Sequence, residues 1–233
     1  MITLKLAGIS VGIDNRFSHI ESMARDYLTD SAPLFTVSVT DEDIGEEREL
    51  SGTDYSNGYY ESIVAYRKIA ERLPEFDAFV FHGSVLSVGD EKAYIITANS
   101  GVGKTTHTRL WLSEFSDVDV LNGDKPILRV KDGVTYACGT PWQGKEGYGK
   151  PMDLPVSGIA FLSRATENRA AEIPVSDAVT RFMSQIYIPK KSRSALVQTM
   201  RLANKVIGSA KLVHLECNMQ PEAAHIARKA LEG

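Results

Sequence analysis

The sequence predicts an α/β chain with α+β character: a mixed β-sheet with flanking helices, preceded by a small N-terminal α/β subdomain. Three observations lead there. Short apolar or alternating runs recur as strands from residue 2 to residue 215, with helical patterns between them. The run Ala93 to Thr97 is followed by a glycine-rich turn and then a helical pattern, a strand–turn–helix unit. The strand before that unit arrives through a hairpin, so the sheet is not a simple succession of parallel βαβ steps.

The elements follow in order. Residues 2–13 alternate, with Ile2, Leu4 and Leu6 and then Ile9, Val11 and Ile13 on one face, and read as one strand or two short ones. Residues 18–28 suit a short helix, and 35–39 a strand. Residues 40–57 are rich in Asp and Glu and read as a solvated acidic loop. Tyr60 to Leu73 carries Ile63, Val64, Ile69, Ala70 and Leu73 at helical spacing, and Pro74 stops it. Ala78 to Phe81 starts the core sheet, and 85–88 with 93–97 form a hairpin around Gly89. Residues 118–121 read as a buried strand, 127–130 and 134–138 as a second hairpin, and 157–162 as another strand. The last third is more helical: 175–186, a stretch from the basic cluster at 190–193 to about 206, a strand at 211–215 and a helix at 221–231. The division expected is 1–75 for the N-terminal subdomain, packed on a core of 76–233.

Composition narrows the classes. The 233 residues are 43% hydrophobic and 24% charged, an ordinary globular balance. No run approaches the roughly 18 apolar residues of a membrane span, and residues 1–6 lack the pattern of a signal peptide. Cys138 and Cys217 have no Cys-x-x-Cys spacing and read as free thiols in a reducing compartment, so a cytoplasmic location without membrane partners is expected. A net charge of −4 argues against a general nucleic-acid binder.

The glycine-rich turn, Asn99-Ser100-Gly101-Val102-Gly103-Lys104-Thr105-Thr106 after Ala98, has the spacing of a phosphate-binding P-loop, or Walker A motif, with Ala98 where the first glycine is usual. Turn N–H groups and a helix N-terminus favour phosphate. Lys104 would reach the β- and γ-phosphates, and the Thr105 hydroxyl would bind Mg²⁺. The apolar strand 118–121 ends in Asn122-Gly123-Asp124-Lys125, which makes Asp124 the expected partner of Thr105 on the metal. Residues 139–150 hold four glycines and read as a mobile loop beside the site.

Taken together, His82-Gly83-Ser84, Ser100 to Trp111, Asn122 to Pro126 and Gly139 to Lys145 resemble the superfamily of HPr kinase/phosphorylase and phosphoenolpyruvate carboxykinase, and within it the small HPr kinase-related proteins of bacteria. In that group a hairpin feeds the P-loop and a His-Gly pair precedes it; here His82 stands 16 residues before Ala98. The resemblance implies a strongly bent, mixed sheet like the carboxykinase C-terminal domain. It also implies ATP and Mg²⁺ as cofactors, and a place for His82 near the phosphates or a metal. The group carries two adjacent aspartates; here Asp124 is the one carboxylate of the pair, with either Lys125 in place of the second or Gly123 in place of the first.

Phosphoryl transfer depends on positioning and charge neutralisation. Lys145, in a glycine-flanked loop, is the candidate second cation, with a solvated lysine as the alternative reading. Asp124 is the first candidate for the base, followed by His82 and Glu146. Trp142 and Glu146 are candidate substrate contacts, although Trp142 also suits a core. His107 reads as a helix-surface histidine and Arg164 as surface charge. The functions that follow are an ATP-dependent phosphotransferase acting on a hydroxyl of a small molecule or peptide, a protein serine kinase resembling HPr kinase, or a nucleotide-gated binding module without turnover. The sequence leaves the acceptor, the direction of reaction and the oligomeric state open.

Overall fold

The computed structural model describes residues 1–233. Strands β1 (Ile2–Leu6) and β2 (Ile9–Asp14) form an antiparallel hairpin. Ala7 and Gly8 turn it with φ of 51° and 72°, the pair of left-handed positions that a two-residue hairpin requires. β3 (Phe35–Ser38) joins β2 in parallel after the short helix α1 (Ser18–Met23). This three-stranded sheet is separate from the larger one.

The acidic stretch expected as a loop is instead the helix α2 (Asp41–Ser51). The Thr40 hydroxyl accepts from Asp43 N–H while the Asp43 carboxylate takes Thr40 N–H, a capping box, and Gly52 ends the helix at φ 61°. Its carboxylates are also spent on neighbours: Asp41 on Arg16 at 2.5 Å, Asp43 on Lys68 at 2.5 Å, and Glu47 on Arg67. Three acids in the first turn complement the helix dipole, so the charge run suits a helix start as well as a loop. α3 (Asn57–Arg72) covers the small sheet and buries Tyr60, Val64, Ile69 and Ala70.

The larger sheet has nine strands in the order β4-β8-β9-β10-β6-β5-β7, with β12 also on β10 and β11 on β12. Strands β5 (Ser84–Val88) and β6 (Lys92–Thr97) form the expected hairpin, and β7 (Val118–Asn122) lies on β5. β8 (Ile127–Lys131) and β9 (Val134–Cys138) form the second hairpin, with β4 (Ala78–Val80) at its edge. The long strand β10 (Asp153–Arg164) pairs with β9 through Asp153–Pro155 and, past an irregularity at Val156/Gly158, with β6 and β12 (Lys211–Cys217) in parallel. One strand thus belongs to two parts of the sheet, which curls about it. Strand β11 (Arg169–Glu172), absent from the sequence reading, pairs antiparallel with β12.

Helices cover both faces. α4 (Lys104–Glu114) and α7 (Glu222–Glu232) pack on one, where Tyr94, Ile96, Trp111, Val213 and Leu215 are buried. α5 (Val175–Met183) and α6 (Arg193–Ser209) pack on the other with Ile95, Phe161, Phe182 and Leu202. Alternation along β6 and β10 sends successive side chains to opposite helical layers. A fully buried side chain of this size contributes about 1.5–3 kcal/mol. No helix is long and apolar enough to cross a membrane.

Candidate active site at the carboxyl edge of the sheet

β6, β7, β10 and β12 run in one direction and β5 runs against them. The carboxyl ends of the four strands and the start of β5 therefore share one edge. Loops leaving such an edge are where ligands bind in open α/β sheets. Here it gathers His82–Ser84, Ala98–Lys104, Asn122–Lys125 and Arg164.

The turn after β6 takes left-handed backbone at two glycines. Gly101 and Gly103 have φ of 78° and 132°. Neither would have its Cβ blocked by a neighbour, so glycine is required there by conformation and not by space. Ala98 has no positive φ and needs no glycine. Lys104 opens α4 but folds back, its Nζ donating to Ala98 O at 3.0 Å. Burial holds its ammonium below the usual lysine range against the pull of Asp124. Thr105 and Thr106 are exposed in the first turn of α4.

Asn122, fully buried, builds the turn that carries Asp124. Its Oδ1 accepts the N–H groups of Asp124 at 2.9 Å and Lys125 at 2.8 Å. Its Nδ2 donates to Thr140 O and Oγ1 at 3.1 and 3.0 Å. Gly123 passes so close to Gln143 O that a Cβ would lie 2.7 Å from it. Asp124 Oδ1 is 3.3 Å from His82 Nε2 and 3.9 Å from Lys125 Nζ. Burial raises the Asp124 pKa, but the His82 hydrogen bond and the charges of Lys125, His82 and Lys104 outweigh it and hold the carboxyl below its ordinary value.

Asp124 is thus an ionised carboxylate at neutral pH. No group of three or more His, Cys, Asp or Glu side chains forms a metal cage. A lone carboxylate with the Thr105 hydroxyl fits Mg²⁺, which keeps several waters and takes one or two carboxylates plus substrate phosphates.

The glycine-rich loop is less free than its composition implies. Its base is pinned by Gly139 N–H to Met152 O at 2.9 Å, Gly123 N–H to Tyr148 O at 3.0 Å and Lys150 N–H to Leu121 O at 3.0 Å. Trp142 is a packing residue and offers no open face to a substrate: it is 8% exposed, lies on Tyr66, and donates Nε1–H to Ser62 O at 3.0 Å. Gly144 rests against Asp124, and the exposed Lys145 next to it makes no hydrogen bond or ion pair. Glu146 pairs with Arg109 of α4 at 2.6 Å, which lowers its standing as a base.

Two further expectations are corrected. His107 is 2% exposed and accepts Trp111 Nε1–H at 3.0 Å, because α4 turns this face to the sheet. Arg164 is exposed but is no idle surface charge: it donates to Val102 O at 2.8 Å and to Gly101 O, both in the turn after β6.

Sequence reasoning missed Gln185 and Arg181. With Asn99, Ser100, Val102 and Arg164 they line a cleft of about 490 Å³ on the α5 side of the turn. Nothing in Phe-Met-Ser-Gln-Ile marks a site residue, whereas the Asx turn at Asn122 was readable from the Asn-Gly-Asp spelling.

No protein-family model matches the chain. No curated protein matches it either. Among solved structures, the HPr(Ser) kinase/phosphatase from Coxiella burnetii is similar over 66% of this chain and 99% of its own, at 8% identity and a TM-score of 0.34. So distant a likeness leaves the function to be read from the residues of this edge.

Proposed function

We propose that the protein is an ATP-dependent phosphotransferase that moves the γ-phosphoryl group to a hydroxyl of a small molecule or peptide. The observation that carries this reading is the meeting, at one sheet edge, of a Gly101/Gly103 turn opening a helix at Lys104 with the ionised Asp124 and its partner His82. The first supplies backbone N–H groups and a cation for phosphates; the second supplies a carboxylate where a metal or an acceptor proton would be held. In this reading Lys104 leaves Ala98 O for the phosphates, a low-cost move because the bond it gives up is replaced by one to an anion. Thr105 and Asp124 hold Mg²⁺, which would neutralise phosphate charge. Asp124, or His82 beside it, receives the acceptor's proton, and Lys145 is free to approach the γ-phosphate as the exposed loop closes. Residues 1–75 form the proposed subdomain that braces the 76–233 core.

ATP consumption with candidate acceptors, comparing wild type with Lys104→Ala, tests the reading. A loss of at least about 100-fold is expected where a cation stabilises the transition state; unchanged turnover sinks it. A second reading, a nucleotide-gated binding module, is favoured by one feature: Asp124 is a lone acid at this turn, with the Lys125 cation 3.9 Å from it. Tight ATP binding without transfer to any acceptor would select it.

A further inference from the structure

The cleft between the turn after β6 and the end of α5 is basic. It measures about 490 Å³; Arg164 and Arg181 both line it, and no Asp or Glu does. Arg181 stands in the last turn of α5, exposed beside the buried Phe182, and its guanidinium makes no hydrogen bond or ion pair. Arg164 uses Nε and Nη2 on the Val102 and Gly101 carbonyls and keeps Nη1 unpaired. The Ser100 hydroxyl, on the same wall, has no partner either. Two cations that no carboxylate neutralises, with N–H and O–H groups left over, favour an anion.

Size and charge narrow which anion. Clefts of roughly 300–1,000 Å³ take small molecules. A carboxylate carries one charge and is filled by one guanidinium fork. A phosphomonoester carries nearly two charges and three terminal oxygens, which matches Arg181, Arg164 Nη1 and the Ser100 hydroxyl together. Position narrows its role. Gln185, 6% exposed, is the wall between the cleft and His82. Its amide lies 2.9 Å from His82 Nδ1 and 3.1 Å from Asn99 Oδ1, and its backbone carbonyl accepts His82 N–H at 2.8 Å. One side chain thus separates the cleft from the His82–Asp124 pair.

We propose that this cleft binds the phosphate of a phosphorylated small-molecule alcohol, and that this alcohol is the phosphoryl acceptor. The second half rests on the proposed function; the first rests on the cleft alone. With the phosphate held by Arg181, the free hydroxyl extends toward Asp124. Its oxygen bonds to the γ-phosphorus of ATP, and the bond from that phosphorus to the β–γ bridging oxygen breaks. ADP leaves, and the hydroxyl proton passes to Asp124 or His82.

Amide-shift titration of the full-length protein tests this, with the nucleotide site filled by a non-hydrolysable ATP analogue and ionic strength held constant. Inorganic phosphate is the probe and acetate its singly charged counterpart. Phosphate is expected to bind, and Arg181→Gln to weaken it about fivefold to tenfold, a modest loss for a charged hydrogen bond because Arg181 is exposed. Acetate should bind at least about fivefold more weakly than phosphate. Arg193→Gln removes an exposed arginine outside the cleft and should change nothing. The ATP analogue should bind wild type and Arg181→Gln alike. No phosphate binding, or an affinity unmoved by Arg181→Gln, leaves Arg181 a solvated helix-end charge and overturns the proposal. Acetate binding as tightly as phosphate overturns the phosphate assignment, and an equal loss of analogue affinity returns the cleft to the nucleotide. An acceptor found by ATP consumption should carry a phosphate, with KM raised in Arg181→Gln and kcat nearly unchanged; a neutral acceptor with unmoved KM overturns the acceptor role. If the analogue does not bind, the proposed function fails instead, and phosphate titration of the nucleotide-free protein with the same variants still decides the cleft.

Discussion

Trp142 lies flat on Tyr66, with ring centroids 4.0 Å apart and planes 9° from parallel. Tyr66 also donates its hydroxyl to Lys125 O at 2.7 Å. Helix α3 of the N-terminal part therefore holds both the loop after β9 and the residue that follows Asp124.

Trp142→Ala is expected to cost about 3–5 kcal/mol, the range for emptying a buried aromatic site. Tyr66→Phe keeps the stack and should cost about 1 kcal/mol for one lost hydrogen bond. Urea denaturation checks both. Equal losses would mean that the hydroxyl, and not the stack, carries the contact.

Arg164 turns the Gly101 and Val102 carbonyls toward itself. In a trans peptide the following N–H points the opposite way, so the guanidinium orients the Gly103 N–H, and with it the side of the turn that would face a phosphate in the proposed function. Arg164→Ala is expected to weaken ATP binding about threefold to tenfold, for one or two hydrogen bonds lost from an exposed site, while thermal stability changes little. Calorimetric titration with ATP measures it. Unaltered affinity would return Arg164 to plain surface charge.

His107 brings a dependence on pH. Burial pulls its pKa down to about 4, whereas an unfolded histidine titrates near 6.5. Between those values the unfolded chain binds the extra proton, so stability rises with pH across the window. The contribution is complete above about pH 6.5 and is lost as pH falls toward 4, up to about 3 kcal/mol in all. Urea midpoints at pH 7, 5.5 and 4.5 should fall in that order, and His107→Gln, which can still accept from Trp111, should flatten the trend.

Lys125→Asp would set a second carboxylate beside Asp124 in place of a cation 3.9 Å away. Removing the like charge of a bound metal and adding an opposite one should tighten Mn²⁺ or Mg²⁺ binding at least about tenfold in the presence of ADP. Isothermal titration with the metal alone and with ADP present checks it. No gain would place the metal elsewhere than at Asp124.

Much of this architecture was legible because it depends on local rules. The hairpins at 85–97 and 127–138, the helix from Lys104 and the turn at Gly101 and Gly103 each follow from apolar spacing and from positions only glycine fills well. Helix α2 was missed because charge outweighed the Thr40–Asp43 cap in the reading, although the cap was in plain view. Strand β11 is short and largely exposed, so its alternation carries little signal. At the site, Asp124, Lys104 and the Asn122 turn could be read from spelling, but Gln185 and Arg164 act through side-chain bonds that span 103 and 62 residues. Such long-range partners are fixed by tertiary packing and leave no local trace.

Strand β10 has its own consequence for how the molecule comes apart. Because its first residues complete one half of the sheet and its remainder lies between β6 and β12, neither half can detach while the other stays intact. The sheet edge after β6 is consequently welded to the far hairpins, and the 76–233 portion should melt as a single cooperative unit. The slowest-exchanging amides should be those of Ile159 to Leu162, released only when the whole sheet opens.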